Sequence, residues 1–148
     1  MVEFVTFDQS YLEKSWEWLN DPEIKKLTNT PDFTKDQQLK WFKKLPELSD
    51  YLIRGIEIDH CKAGVCGLKN ITETDAEYWG YIGVKSLWGK GYGKIILQRL
   101  LNTARELNLK SVWLQVEKEN IRAMRLYERS RFKAEDTEGS LQIMRIIL

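Results

Sequence analysis

What this sequence lacks narrows it first. Charge excess is nearly absent: 23 lysines and arginines stand against 22 aspartates and glutamates, a formal net charge of +1. No bulk electrostatic pull towards nucleic acid, an anionic membrane or an acidic partner is built in. Cysteine is scarce too. Cys61 and Cys66 are the only two, and their spacing matches neither a zinc-ligand pattern nor a C-x-x-C redox pair. No apolar run approaches the roughly 18 residues needed to span a bilayer, and Glu3, Asp8, Glu13 and Lys14 interrupt the opening residues where the core of a secretory leader would lie. The expectation is a soluble, cytoplasmic chain with reduced thiols and no metal. Repeats, low-complexity tracts and linkers are absent as well, and 148 residues with 43% hydrophobic content suit one domain, 1–148, with a substantial core of its own.

What is present reads as alternating strands and helices. Val2 to Phe7 has a strand's alternation, and Asp8 is placed to cap a helix carrying Leu12, Trp16 and Leu19 on one face. Asn20-Asp21-Pro22 breaks that helix and restarts the chain as a short one around Glu23 to Leu27. Thr34 is a plausible cap for a third helix with Leu39, Phe42 and Leu45 at regular spacing, flanked by Trp41 and ended by Pro46. From Tyr51 the period becomes extended. Tyr51 to Ile58, Ala63 to Leu68 and Glu77 to Val84 form an antiparallel meander turning at Asp59-His60 and at Thr72 to Asp75. A long helix follows on Ile96, Leu97, Leu100, Leu101, Ala104 and Leu107, stopped at Asn108. Ser111 to Val116 is a buried strand, Asn120 caps a helix running to about Arg129, and a last strand pair turns at Glu138-Gly139. The strand, helix, strand order between Glu77 and Val116 demands a parallel crossover. The predicted class is therefore α+β, three layers, with helices on both faces of a mixed, mostly antiparallel sheet.

One stretch carries chemistry: Trp88-Gly89-Lys90-Gly91-Tyr92-Gly93-Lys94, between a strand and the long helix. Three alternate glycines let the backbone approach a ligand closely and leave N–H groups unobstructed at the helix's positive end, which suits a phosphate or pyrophosphate. A plain tight turn is the competing reading. Two nucleotide motifs fail on spacing. The third glycine comes one position early for G-x-G-x-x-G, and an antiparallel meander precedes the loop. Gly83 and Gly89-Lys90 enclose five residues where Walker A has four, with Gly91 where a Ser or Thr should stand.

Trp88 to Gly93 resembles the coenzyme-A signature of the GNAT superfamily of N-acetyltransferases, [Q/R]-x-x-G-x-[G/A], matching both small-residue positions and departing at the first, where Trp88 replaces the polar residue. Val116-x-x-x-Asn120-x-Arg122-Ala123-x-x-x-Tyr127-x-x-x-x-Phe132 is similar to the family's second coenzyme segment. The glycine usual before the phenylalanine is replaced by Arg131, at a cost of roughly 1 kcal/mol if that residue is left-handed. The resemblance covers about residues 77 to 135. It looks nearest to the branch that includes ribosomal-protein alanine and amino-sugar acetyltransferases.

The resemblance implies a GNAT-like fold and direct acetyl transfer from acetyl-CoA, as co-substrate without a metal, to a primary amine. It places the pyrophosphate on the backbone of Gly89, Lys90, Gly91, Tyr92, Gly93 and Lys94, and the thioester beside main-chain donors around Ile82, Gly83 and Val84. Asn120 and Arg122 fall in the second coenzyme segment, where Asn120 caps its helix, contacts the coenzyme arm, or does both. Tyr127 occupies the general-acid position; a phenol stays protonated at neutral pH and can donate to a departing thiolate. Glu77 is the candidate base, with a solvated strand-end charge as the rival reading. His60 has the better pKa for a base but sits in a predicted turn. On the substrate side Tyr11, Trp16, Trp18, Phe33 and Trp41 are either core or cleft. Asn20-Asp21-Pro22 and the short helix resemble the amino-sugar branch, including enzymes for nucleotide-linked 4-amino sugars. The expected partner is thus a small-molecule amine, for a monomer or homodimer. Acetylation of a protein N-terminus, and a non-catalytic acetyl-CoA-binding module, stand as alternatives.

Overall fold

Elements begin and end where the sequence supplies caps and breakers. The computed structural model describes all 148 residues, Met1–Leu148. Strand β1 (Val2–Val5) leads into α1 (Gln9–Asn20), whose first turn is closed by the Asp8 carboxylate accepting from the Tyr11 N–H. Asp21 ends α1 and caps α2 (Pro22–Leu27) by accepting from the N–H groups of Glu23 and Ile24. Thr34 and Gln37 form a reciprocal capping box at the start of α3 (Lys35–Lys44), which runs into a single tight turn over Leu45–Glu47. The meander is β2 (Leu52–Ile58), β3 (Cys61–Lys69) and β4 (Asp75–Ile82); both residues of its first turn, Asp59 and His60, are left-handed. Then come α4 (Tyr92–Glu106), β5 (Ser111–Glu117), α5 (Ile121–Arg129), the two-residue β6 (Lys133–Ala134) and β7 (Leu141–Ile147). Asn108 stops α4 at φ 62°, and Arg131 does take the left-handed conformation after α5, at φ 75°.

All seven strands form one sheet in the order β1-β2-β3-β4-β5-β7-β6. Only β4 and β5 are parallel; every other pair is antiparallel. Helices cover both faces, as expected. On one face the α4 stripe of Ile96, Leu97, Leu100, Leu101 and Ala104 packs into the main core with Leu68, Tyr78, Val112, Leu114 and Met144. On the other, Phe7, Tyr11, Leu12, Trp18, Ile24 and Val65 form a smaller core beneath the N-terminal helices. Residues Ala63 to Leu68 of β3 are all buried, as a central strand sandwiched between two helical layers must be.

One packing expectation is corrected. The buried face of α1 is Tyr11, Leu12, Ser15 and Trp18, while Trp16 and Leu19 are only half-buried. The face turned because polar atoms found partners inside: Tyr11 Oη donates to Ile56 O at 3.0 Å, and Ser15 Oγ donates to Leu12 O at 2.8 Å while accepting from Gln38 Nε2 at 2.9 Å. A satisfied hydroxyl carries little burial penalty. In α3 nothing is fully buried, and Leu39 is 36% exposed.

Candidate active site

The site exists because two parallel strands part company. β4 and β5 pair only at Asp75 with Ser111, Ala76 with Val112 and Glu77 with Trp113. Beyond Glu77, β4 continues to Ile82 and β5 to Glu117 with no pairing between them, so a V opens in the middle of the sheet. A cleft of about 360 Å³ fills it, lined by both strands, the glycine loop, α5 and the C-terminal end of α2.

Unused main-chain donors face this cleft. Gly91 caps α4 in the left-handed conformation at φ 89° with no side-chain partner for the helix end, and Gly89 is left-handed at φ 74°. None of the N–H groups of residues 89 to 94 donates to another protein atom. That is an anion cradle of the kind a helix start provides. Gly89, Gly91, Tyr92 and Gly93 line the cleft directly, whereas the side chains of Lys90 and Lys94 are exposed outside its lining.

Along β4 the proposed donors separate. Gly83 N–H donates to Ala63 O at 2.7 Å, so it is committed to the β3 side and does not serve the cleft. Alternation along the strand then turns the main chain of Gly80 and Ile82 towards the gap. Val84 lies past the strand end, outside the lining, with its N–H free of protein acceptors. Trp88, the departure from the signature, has a structural task. Its Nε1 donates to Ile82 O at 2.8 Å, pinning the loop to the strand, and the Arg122 guanidinium lies 5.5 Å from its ring.

The two chemistry-bearing side chains reach the cleft from different elements, one from a helix and one from the sheet. Tyr127, on α5, packs edge-on against Tyr78 at 6.3 Å, and burial pushes its phenol up to about 12. Asn120 caps α5, its Oδ1 accepting from the Ala123 N–H at 3.3 Å, and it lines the cleft together with Arg122. Glu77, the last paired residue before the V opens, is only 4% exposed. Its oxygens are held separately, Oε1 by Asn70 Nδ2 at 3.0 Å and Oε2 by Gln115 Nε2 at 3.2 Å, with Lys69 Nζ 3.8 Å away. A solvated charge is therefore the wrong description of Glu77: it is a buried, oriented carboxylate in the cleft wall. His60 is exposed in its turn and takes no part.

With this geometry in view, the match of residues 12–132 to the Acetyltransferase (GNAT) family model is decisive. The chain belongs to the GNAT family. It is an N-acetyltransferase that uses acetyl-CoA. Acetyltransferase PseH from Campylobacter jejuni is 26% identical over 136 residues, covering 91% of this chain and 85% of the relative. Among solved structures, spermidine N-acetyltransferase from Vibrio cholerae in complex with CoA and spermine superposes with a TM-score of 0.88 at 21% identity, covering 99% of this chain and 95% of that one. The Campylobacter jejuni N-acetyltransferase PseH in complex with acetyl coenzyme A gives 0.78 at 20% identity, covering 99% of both. Both superpositions establish the GNAT fold.

Asn70 and Gln115, the amides that hold Glu77, were not singled out by sequence reasoning. Gln115 left a trace, a polar residue between Leu114 and Val116 in a buried strand; Asn70 left none, because its role depends on β3 lying beside β4. The contribution of α2 and the turn after it, whose Ile24, Leu27, Thr28 and Asn29 form part of the cleft wall, was equally unmarked. Lys85 ties that helix to the segment after β4 by ion pairs to Asp21 at 2.9 Å and Glu23 at 3.0 Å. Of the N-terminal aromatics, Tyr11 and Trp18 are core, Trp18 lying flat over Gly83, where an added Cβ would meet the indole at 2.2 Å.

Proposed function

We propose that this N-acetyltransferase acts on the primary amine of a small molecule, a nucleotide-linked amino sugar, by direct transfer. The observation that carries the mechanism is the convergence of Tyr127, from helix α5, and Glu77, from strand β4, on one cleft. The free N–H groups of residues 89 to 94 hold the pyrophosphate of acetyl-CoA, with Asn120 and Arg122 alongside the coenzyme arm. The Ile82 N–H, on the open edge of β4, aligns the thioester carbonyl and strengthens as charge develops on its oxygen. Glu77 takes the proton of the attacking amine, its carboxylate held in place by Asn70 and Gln115. The amine nitrogen bonds to the acetyl carbon, the carbon–sulfur bond breaks, and Tyr127 Oη donates to the departing sulfur. A phenol raised to about 12 by burial keeps its proton throughout the neutral range.

The acceptor class is supported by the Asn20-Asp21-Pro22 break with its short helix α2, which resembles the amino-sugar branch, and by the similarity to Acetyltransferase PseH. The reaction would take place in the cytoplasm. The test is thiol release from acetyl-CoA across nucleotide-linked amino sugars, peptides with free N-termini, and polyamines. Preference for the sugars supports the proposal. Preference for peptides replaces it with N-terminal protein acetylation, and tight acetyl-CoA binding with no transfer to any amine leaves a binding module.

A further inference from the structure

Tyr78 has no task in the steps above, yet its hydroxyl stands where they take place. On β4 it shares a face with Ala76, Gly80 and Ile82. Its side chain leans along the strand towards the part of β4 that has left β5, since the hydroxyl oxygen lies over Gly80: a Cβ added there would stand 3.1 Å from it. The missing side chain at Gly80 is what makes room for the phenol. The main chain of Gly80 and Ile82 turns its donors into the same gap.

The hydroxyl is spent on nothing else. Tyr78 is only 6% exposed, and its Oη has no hydrogen-bond partner in the protein, but it belongs to the cleft lining and is not closed off. Trp79, one residue on, presents the contrast. It faces a second cavity, of about 380 Å³, walled by Trp41, Tyr51, Trp79 and Tyr81 between the sheet and helices α1 and α3. There Trp79 Nε1 is sealed without a partner, its ring packed against Gly67, beyond the reach of a ligand.

On the Tyr78 side the cleft wall is apolar. Ile82, Ile96, Val116 and Leu126 line it and pack, with Tyr78 and Tyr127, into the main core. An unsatisfied hydroxyl in such surroundings costs stability, and a hydrogen bond from it to a charged oxygen is worth more there than in water. Burial holds the phenol well above its ordinary value, with Tyr127 and Cys66 adding to the effect, so the donor keeps its proton.

We infer that the Tyr78 hydroxyl is a second donor to the acetyl carbonyl oxygen of acetyl-CoA, completing with the β4 main chain the pocket in which the tetrahedral oxyanion forms. As the amine nitrogen bonds to the acetyl carbon, the carbonyl π pair moves onto oxygen, where it accepts from the Ile82 N–H and from Tyr78 Oη. When that pair returns, the carbon–sulfur bond breaks and the carbonyl is restored. Tyr78 donates a hydrogen bond throughout and gives up no proton; the sulfur is served by Tyr127. The division follows from placement. Tyr78 stands on the strand whose edge aligns the carbonyl, and Tyr127 arrives from α5.

The inference rests on the proposed alignment of the thioester along β4 and not on the choice of acceptor, and its test separates the two. The carbonyl stretch of acetyl-CoA carrying carbon-13 at that carbon is recorded by difference infrared spectroscopy, free and bound to the full chain, for the wild type, Tyr78→Phe and Tyr127→Phe. The expected result is a band lowered on binding to the wild type, moved back towards the free frequency in Tyr78→Phe and unmoved in Tyr127→Phe. With a nucleotide-linked 4-amino sugar, Tyr78→Phe should lower kcat about 100-fold while the Kd for acetyl-CoA is nearly unchanged. Its thermal midpoint should hold or rise, because the variant loses only an unbonded hydroxyl; a packing role alone would lower the midpoint and leave the band where it was. A band lowered equally in the wild type and Tyr78→Phe, or an unaltered kcat, overturns the second donor and leaves the alignment standing. A band that is the same bound as free overturns both. If the sugar is not acetylated, the amino-sugar reading falls and the band alone decides on Tyr78.

Discussion

The two cavities that meet at Trp79 and Tyr81 are built in opposite ways. The cleft between β4 and β5 is made largely of backbone: unpaired N–H groups at a helix start, a strand edge exposed by splaying, and three glycines that keep side chains clear. The second cavity is made of side chains, with aromatic rings from α3, β4 and the segments after β1, before α3 and before β2, and it has no charged lining residue. A backbone site needs neighbouring residues in one conformation and so leaves a compact mark in the sequence. A side-chain cavity assembles residues from Phe7 to Tyr81 and leaves none.

That contrast can be pressed hardest at high pH. The aromatic side of the molecule and the core buried beneath it carry Cys66, Tyr11 and Tyr127, each pushed up to about 12 by burial, and Tyr51, Tyr78 and Tyr81, whose phenols burial also raises. All six are neutral in the folded protein. The stability they contribute is complete below their unfolded values, about 9 for the thiol and about 10 for the phenols, and is lost as pH rises through the folded ones. Thermal unfolding should be level with pH up to about 9 and fall steeply above about 10; a flat profile to pH 11 would contradict these shifts.

Within the cleft, Tyr127→Phe should lower kcat by about 100-fold with acetyl-CoA affinity nearly unchanged, as expected for loss of a general acid. Steady-state rates and direct coenzyme binding check this, and an equal loss in both would make Tyr127 a packing residue. Gly91→Val tests the cradle. Nothing lies within 4 Å of a Cβ there, so its cost comes from a branched residue forced to φ 89°. The KM for acetyl-CoA should rise about 10-fold while the acceptor KM holds. Lys85→Ala should matter least. Its pairs with Asp21 and Glu23 are exposed, and a change of about twofold in acetyl-CoA KM, shrinking as salt is added, is the expected scale.

Several parts of the site were legible because their cause is local. Asp8, Thr34 and Asn120 cap the helices their positions promised, since a cap bonds to N–H groups two or three residues on. The parallel crossover followed from the order of elements and chain handedness. Gly83 went the other way. Its place in the loop approach suggested a coenzyme donor, but register with β3 uses its N–H for Ala63. Glu77 stood as the candidate base with a solvated strand-end charge as its rival, and burial with two amides, Asn70 just after β3 and Gln115 on β5, makes it a fixed carboxylate.

By itself, then, the sequence determined what propagates along the chain: the periods of strand and helix, the caps, and the glycine loop whose main chain points at a ligand whatever surrounds it. The tertiary structure alone decided where β4 and β5 separate, which amides hold Glu77, which way the β4 donors face, and that Trp41, Tyr51, Trp79 and Tyr81 enclose a cavity. Those outcomes depend on strand register and on which helix face finds partners for its polar atoms, and neither is set until distant segments pack together.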